Sequence, residues 1–273
     1  MSKQYERLLK CYEYCRTITD FQPRVGLILG SGLGNYADKI EKICEIPYET
    51  IPEFPVSTVQ GHSGRFILGY IGKVPVILMK GRVHFYEGYS MEEVVMPTRL
   101  MKMLGIEILF LTNAAGGINT DFNVGDFMMI TGQISSFVPS PLVGENVSEL
   151  GDRFPDMTSL YDPELQKLIT ETAKSEQIPI QKGVYVQTSG PNFESAEEIR
   201  MYGILGADAV GMSTACEAMA ARHAGVRVCG ISCISNMACG ISKVELSLLD
   251  VQQVADQRAD EFERLISSII SQM

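Results

Sequence analysis

The chain contains no tryptophan, three histidines and no closely paired cysteines, and these gaps remove several chemistries before any motif is read. Its seven cysteines stand at 11, 15, 44, 216, 229, 233 and 239 without a CxxC pair or a paired-finger spacing. A disulfide framework or a zinc finger therefore lacks its ligands. Cys11 and Cys15 share a helix face, but no histidine or carboxylate joins them at matching spacing, so reduced, buried thiols are expected. No HExxH occurs, and neither Ser31 nor Ser213 lies in GxSxG, which sets aside zinc hydrolysis and a nucleophile elbow.

Positive charge is scarce too. The 23 Lys and Arg against 33 Asp and Glu give a net charge of −10, so the average surface repels nucleic acid and anionic lipid. Any anion site must gather its cations locally. No stretch reaches the ~18 apolar residues that span a membrane, and the opening MSKQYERLLK lacks a signal-peptide core. A cytoplasmic protein without membrane or nucleic-acid partners is expected. No Gly/Ser-rich or Pro-rich linker and no repeat marks a boundary, so one domain over residues 1–273 is expected.

What is present is a regular alternation of elements. Residues 25–29, 66–71, 74–79, 107–112, 126–131, 183–188 and 226–234 read as strands, several apolar on both faces, as a sheet covered on both sides requires. Helix starts lie between them: Ser90 with Glu93, Ser195 with Glu198 and Thr214 with Glu217 fit capping boxes, and Asp162–Pro163 fits an N-cap followed by proline. Apolar residues from Val251 to Ile270 recur at three- and four-residue spacing, which predicts one long amphipathic helix across the sheet. The pattern is α/β. The longest irregular stretch, 135–161, suits a functional loop.

Six places carry candidate chemistry, one of them TNAAGGIN at 112–119, whose small residues let another group approach the backbone closely. LILGSGLGN at 27–35 follows a buried strand, but Asn35 stands where a dinucleotide fingerprint needs its third glycine, and no Gly-Lys-Ser/Thr makes it a P-loop. A glycine-rich turn remains, either a plain turn or a phosphate cradle using backbone N–H groups and Ser31. GRVHFYEGYS at 81–90 brings Arg82, His84, Tyr86 and Glu87 together, a set that few structural roles demand. Ser213 precedes a helix start as a cap or an anion ligand. Phe193 and Glu194 suit stacking on and hydrogen bonding to a heterocycle, and Asn236 ends a buried strand where ligands of α/β sheets collect.

GSGLG (30–34), GHSGR (61–65), GRVHFYEGY (81–89), TNAAGG (112–117), GPNFES (190–195), GADAVGMST (206–214) and the Asn236 strand together resemble the trimeric purine nucleoside phosphorylase family, in order, from about residue 20 onward. The resemblance implies a mixed, barrel-like sheet flanked by helices in three α/β/α layers, and a homotrimer with active sites near the subunit interfaces. It implies that a purine nucleoside and inorganic phosphate give free base and pentose 1-phosphate without metal or organic cofactor. Phosphate ligands then fall on Ser31, Arg82, His84, the Ala114 backbone and Ser213, with His62 at the entrance and Glu87 orienting His84. Pentose contacts fall on Tyr86, Met212 and a Phe154 lent by a neighbouring subunit; base contacts fall on Tyr185, Phe193, Glu194, Val210 and Asn236. Asn236, His84 and Glu194 are the catalytic candidates.

One position departs from the family. Leu248 aligns where many members carry a histidine for the sugar 5′-hydroxyl, or Leu249 or Asp250 does if the alignment slips. That keeps a 5′-methylthioadenosine or 5′-methylthioinosine phosphorylase open as an alternative, and a nucleoside-binding protein without turnover as another.

Overall fold

The computed structural model describes residues 2–58 and 64–273. His62 of the GHSGR turn lies outside the described residues.

Among the described residues nine strands form one sheet: β1 (Val25–Ile28), β2 (Glu41–Pro47), β3 (Arg65–Ile71), β4 (Val74–Lys80), β5 (Ile108–Gly117), β6 (Phe127–Ile134), β7 (Ile180–Gln187), β8 (Ala209–Gly211) and β9 (Arg227–Met237). Their order is β2-β3-β4-β1-β5-β8-β7-β6-β9, and β9 returns to pair with β5. The last five strands thereby close a small barrel, while β2, β3, β4 and β1 extend from it as an open sheet. All seven predicted strands are found.

The helices are α1 (Lys3–Ile18), α2 (Met91–Val94), α3 (Met96–Leu104), α4 (Pro163–Ser175), α5 (Ala196–Ile204), α6 (Ala215–His223) and α7 (Leu248–Ile270). Strand alternation divides five of them between two layers. Ile28, Ile77, Met79, Leu109 and Leu111 face a core shared with Leu8 of α1, Leu100 of α3 and Ala218 of α6. Their neighbours Leu27, Val76, Leu78, Ile108 and Phe110 face the opposite core, shared with Ile169 of α4 and Phe262, Leu265 and Ile269 of α7. A period of two sends successive side chains to opposite faces, so an uninterrupted apolar run is what a strand buried on both sides needs. Each such side chain contributes ~1.5–3 kcal/mol on burial.

The predicted starts are seen in detail. Ser90 and Glu93 exchange hydrogen bonds in a capping box, as do Ser195 and Glu198, and Asp162 accepts from the Glu164 and Leu165 N–H groups ahead of α4. The predicted C-terminal helix is α7, with Ser247 as its cap. Strands β2 and β8 were not anticipated. β2 is a largely exposed edge strand with polar residues, and β8 spans three residues, so neither carries a readable period.

Topology then sets the site. β1 runs parallel to β4 and β5, and β5 runs parallel to β9, so four strands deliver their carboxyl ends to one side of the sheet. Those ends lead into Ser31, Arg82, Ala114–Gly116 and Asn236. β8 runs antiparallel to β5, pairing Val210 with Gly116, and its chain therefore turns back toward Ala114 at Met212 and Ser213.

Candidate active site

A cavity of about 360 Å³ opens at this carboxyl edge, and Ser31, Arg82, His84, Ala114 and Ser213 line one part of it. Arg82 follows β4 through Gly81, whose φ of 93° lies in the left-handed region that glycine enters at little cost. The guanidinium is 4% exposed and tied at two points: Nε donates to Glu217 Oε1 at 3.0 Å and Nη2 to the Thr112 carbonyl at 3.1 Å. A buried charge held this way keeps a fixed direction, and its remaining N–H groups suit a bidentate oxyanion.

Glu217 does more than neutralise Arg82. Its other oxygen, Oε2, accepts from the Thr214 N–H at 2.9 Å, so one carboxylate joins the arginine to the start of α6. Thr214 has φ 80° and ψ −54°, a region a β-branched residue enters only under strain. Asn113 Nδ2 donates to its hydroxyl at 2.9 Å, and the Ser213 hydroxyl lies 3.1 Å from the same oxygen. The strain sets where Ser213 sits beside the helix N-terminus.

His84 is positioned by its own neighbours. Glu87 Oε1 accepts from the His84 backbone N–H at 2.7 Å and lies 3.0 Å from Nδ1, which leaves Nε2 on the other side of the ring. Tyr86 stacks on the imidazole, with centroids 4.7 Å apart. Burial alone would raise the Glu87 carboxyl. Hydrogen bonds from His84 and Thr58 outweigh that and bring it down to about 2, so it is ionised at neutral pH.

The rest of the cavity is less polar. Phe193, Glu194, Val210, Met212 and Asn236 line it, and Leu246, Leu248 and Val251 form an aliphatic wall at the start of α7. Thr188 Oγ1 donates to Glu194 Oε1 at 2.7 Å and orients that carboxylate. The β5–β9 ladder slips between Ala115 and Gly116, which leaves Ser235 unpaired and re-aims Asn236, a use of bulges common near active sites. Asn236 Nδ2 donates to Ser235 Oγ at 3.2 Å, which leaves Oδ1 3.1 Å from where a Cβ on Gly116 would stand. That close approach accounts for the glycine.

A family model described as the phosphorylase superfamily matches residues 24–271. Purine nucleoside phosphorylase 1 of Bacillus subtilis is 53% identical over 250 residues, covering 92% of each chain. The corresponding protein of Geobacillus stearothermophilus is 48% identical over 251 residues, with the same coverage. A crystal structure of Schistosoma mansoni purine nucleoside phosphorylase in complex with inosine superposes with a TM-score of 0.93 at 36% identity, over 98% of this chain and 96% of that one. The chain belongs to the phosphorylase superfamily, among its purine nucleoside phosphorylases.

Most residues expected of a phosphorylase site converge. Two do not line the cavity. Tyr185 is fully buried behind Ser213, whose N–H lies 3.5 Å from its hydroxyl, and the same oxygen would stand 2.3 Å from a Cβ on Gly211. It backs the anion end of the cavity; burial pushes its phenol far up. Phe154 is 88% exposed, with Arg153 over its ring, and stands away from the cavity of its own chain. Asn113, Thr214, Glu217 and Ser235 were missed. Asn113 and Thr214 lie within quoted motifs, but their contact depends on the strained Thr214 backbone, and Ser235 on the β5–β9 bulge, which no residue pattern announces.

Proposed function

We propose that this phosphorylase cleaves the glycosidic bond of 6-oxopurine nucleosides, inosine and guanosine and their deoxy forms, with inorganic phosphate as co-substrate. The observation that carries the reading is one cavity with a braced cation and two hydroxyls at one end and a carboxylate and an amide at the other. Phosphate sits among Arg82, Ser31, Ser213, His84 and the Ala114 N–H. As the bond breaks, positive charge develops on the sugar and negative charge on the purine. A phosphate oxygen attacks the anomeric carbon, the bonding pair leaves with the base, and pentose 1-phosphate forms.

Asn236 acts on the leaving group, hydrogen bonding at N7 and O6 where charge grows in the transition state. Glu194 accepts from the N1–H of a 6-oxopurine. Adenine presents a bare acceptor there, and leaving a buried polar group unpaired discriminates by about 10⁴ or more. Met212 and Tyr86 flank the sugar, and no cofactor enters. Phe154 on the long 135–161 loop suits a contact lent to a neighbouring subunit, which makes a homotrimer the working assembly. Among the described residues no helix is long and apolar enough to cross a membrane, and we place the enzyme in the cytoplasm.

A second reading has its own observation. Leu246, Leu248 and Val251 offer an aliphatic surface to the cavity, which suits 5′-deoxy or 5′-methylthio nucleosides as well as 5′-hydroxyl ones. Specificity constants for inosine, guanosine, adenosine and their 5′-modified forms separate these readings. We expect inosine far above adenosine; comparable values for the two would refute the Glu194 assignment.

A further inference from the structure

Outside the reaction site, the least satisfied charge among the described residues is Arg99 of α3. The residue is 3% exposed. Nη2 donates to the Pro141 carbonyl at 3.3 Å, while Nε and Nη1 are buried without a partner. An arginine does not shed its proton in a protein, and burying a charge with two of its donor groups unpartnered is costly. Beside it stands His223, the last residue of α6, 8% exposed and with Nδ1 also unpartnered. Both residues line a second cavity of about 180 Å³, walled outside by the 141–147 loop. Water needs only ~10–15 Å³, so there is room for a polyatomic ligand.

We propose that this cavity binds one small oxyanion of the phosphate or sulfate type between Arg99 and His223. A tetrahedral oxyanion accepts in several directions and serves donors arriving from two helices; a planar carboxylate serves one edge of a guanidinium. Glu92 and Glu145 also line the space, but both are exposed. The attraction of Glu92 offsets only part of the effect of burial on Arg99. Burial first, and the charge of Arg99 next, lower the His223 pKa, while backbone hydrogen bonds to Asp152 and Gly151 raise it; a bound anion would hold a proton on the unpartnered Nδ1 and accept a hydrogen bond from it. The anion would tie α3 and α6 to a loop already fastened by Arg153, which donates to the Gly144 carbonyl at 2.8 Å. That loop runs on to Phe154, so occupancy here would set the loop's mobility. The site does not depend on the reaction proposed above.

The test is a crystal soaked in tungstate, read by anomalous scattering, with sulfate calorimetry in solution. The expected result is a peak within hydrogen-bonding reach of Arg99 and His223, and a sulfate stoichiometry that falls by one per chain in both Arg99→Gln and His223→Ala. Ordered water alone, the carboxylate of Glu92 or Glu145, or a carboxylate from a neighbouring copy in that cavity would overturn the proposal. An unchanged stoichiometry in a folded variant would overturn it too. Occupancy at Arg82 is read separately in the same crystal, so failure of one site is distinguishable from failure of the other.

Discussion

At the Arg82 end of the cavity Arg82 and His84 are each held by another residue, whereas at the Leu248 end the wall is aliphatic and open. Glu217 grips Arg82 and Thr214 at once, and Glu87 grips His84 by ring and backbone. By contrast Leu248 is 70% exposed and Leu249 82% exposed, at the first turn of α7. Charge stabilisation depends on groups that do not reorganise as the reaction proceeds. A wall that meets the outer part of the sugar can vary without touching the chemistry. The comparison teaches that conserved geometry should be sought where the buried carboxylates are, and substrate variation where the leucines are.

The harshest way to break the contrast is Glu217→Ala. It leaves Arg82 buried without its carboxylate and should cost ~3–5 kcal/mol of stability in denaturant unfolding, along with phosphate affinity. A variant within 1 kcal/mol (about the size of a neutral hydrogen bond) would show that the network is ornamental. Next, Asn236→Ala should raise the barrier by ~2.7–4 kcal/mol, about a hundred- to thousandfold in kcat, while leaving phosphate binding intact. Near-normal turnover would remove Asn236 from the leaving-group role.

Glu87→Gln should cost about 1.5–3 kcal/mol by weakening a charged acceptor. The wild-type carboxyl titrates at about 2, below its ordinary value, so its stabilising contribution is present above the usual carboxylate range and lost as pH falls toward about 2. A loss of stability between about pH 4.5 and 2 that persists unchanged in Glu87→Gln would contradict this. The smallest effect is expected at Leu248→His, which should favour inosine over 5′-deoxyinosine by about 1 kcal/mol. No change in the ratio would place the 5′ end of the sugar elsewhere.

The same division describes what the sequence could tell. Buried strands and capping boxes were legible because an apolar run or a Ser-x-x-Glu spacing is a local consequence of the structure it forms. Arg82, His84 and Asn236 drew attention because polar residues just past buried strands have few structural reasons to be there, and Glu194 because an aromatic and a carboxylate stand together ahead of a helix start. Whether Tyr185 faces the cavity was not legible, because a tyrosine on a strand has two possible faces, and only closure of the barrel decides which is buried. Glu217 was read as a cap, correctly, but its second partner lies 135 residues away in the chain. Edge strand β2 and three-residue β8 had no period to read.

The central claim is that the braced anion end delivers phosphate to the sugar. Following inosine cleavage by proton and phosphorus NMR in phosphate buffer tests it most directly. The account predicts ribose 1-phosphate appearing in step with hypoxanthine, and no base release when phosphate is withheld. Free ribose forming at the same rate with or without phosphate would contradict it.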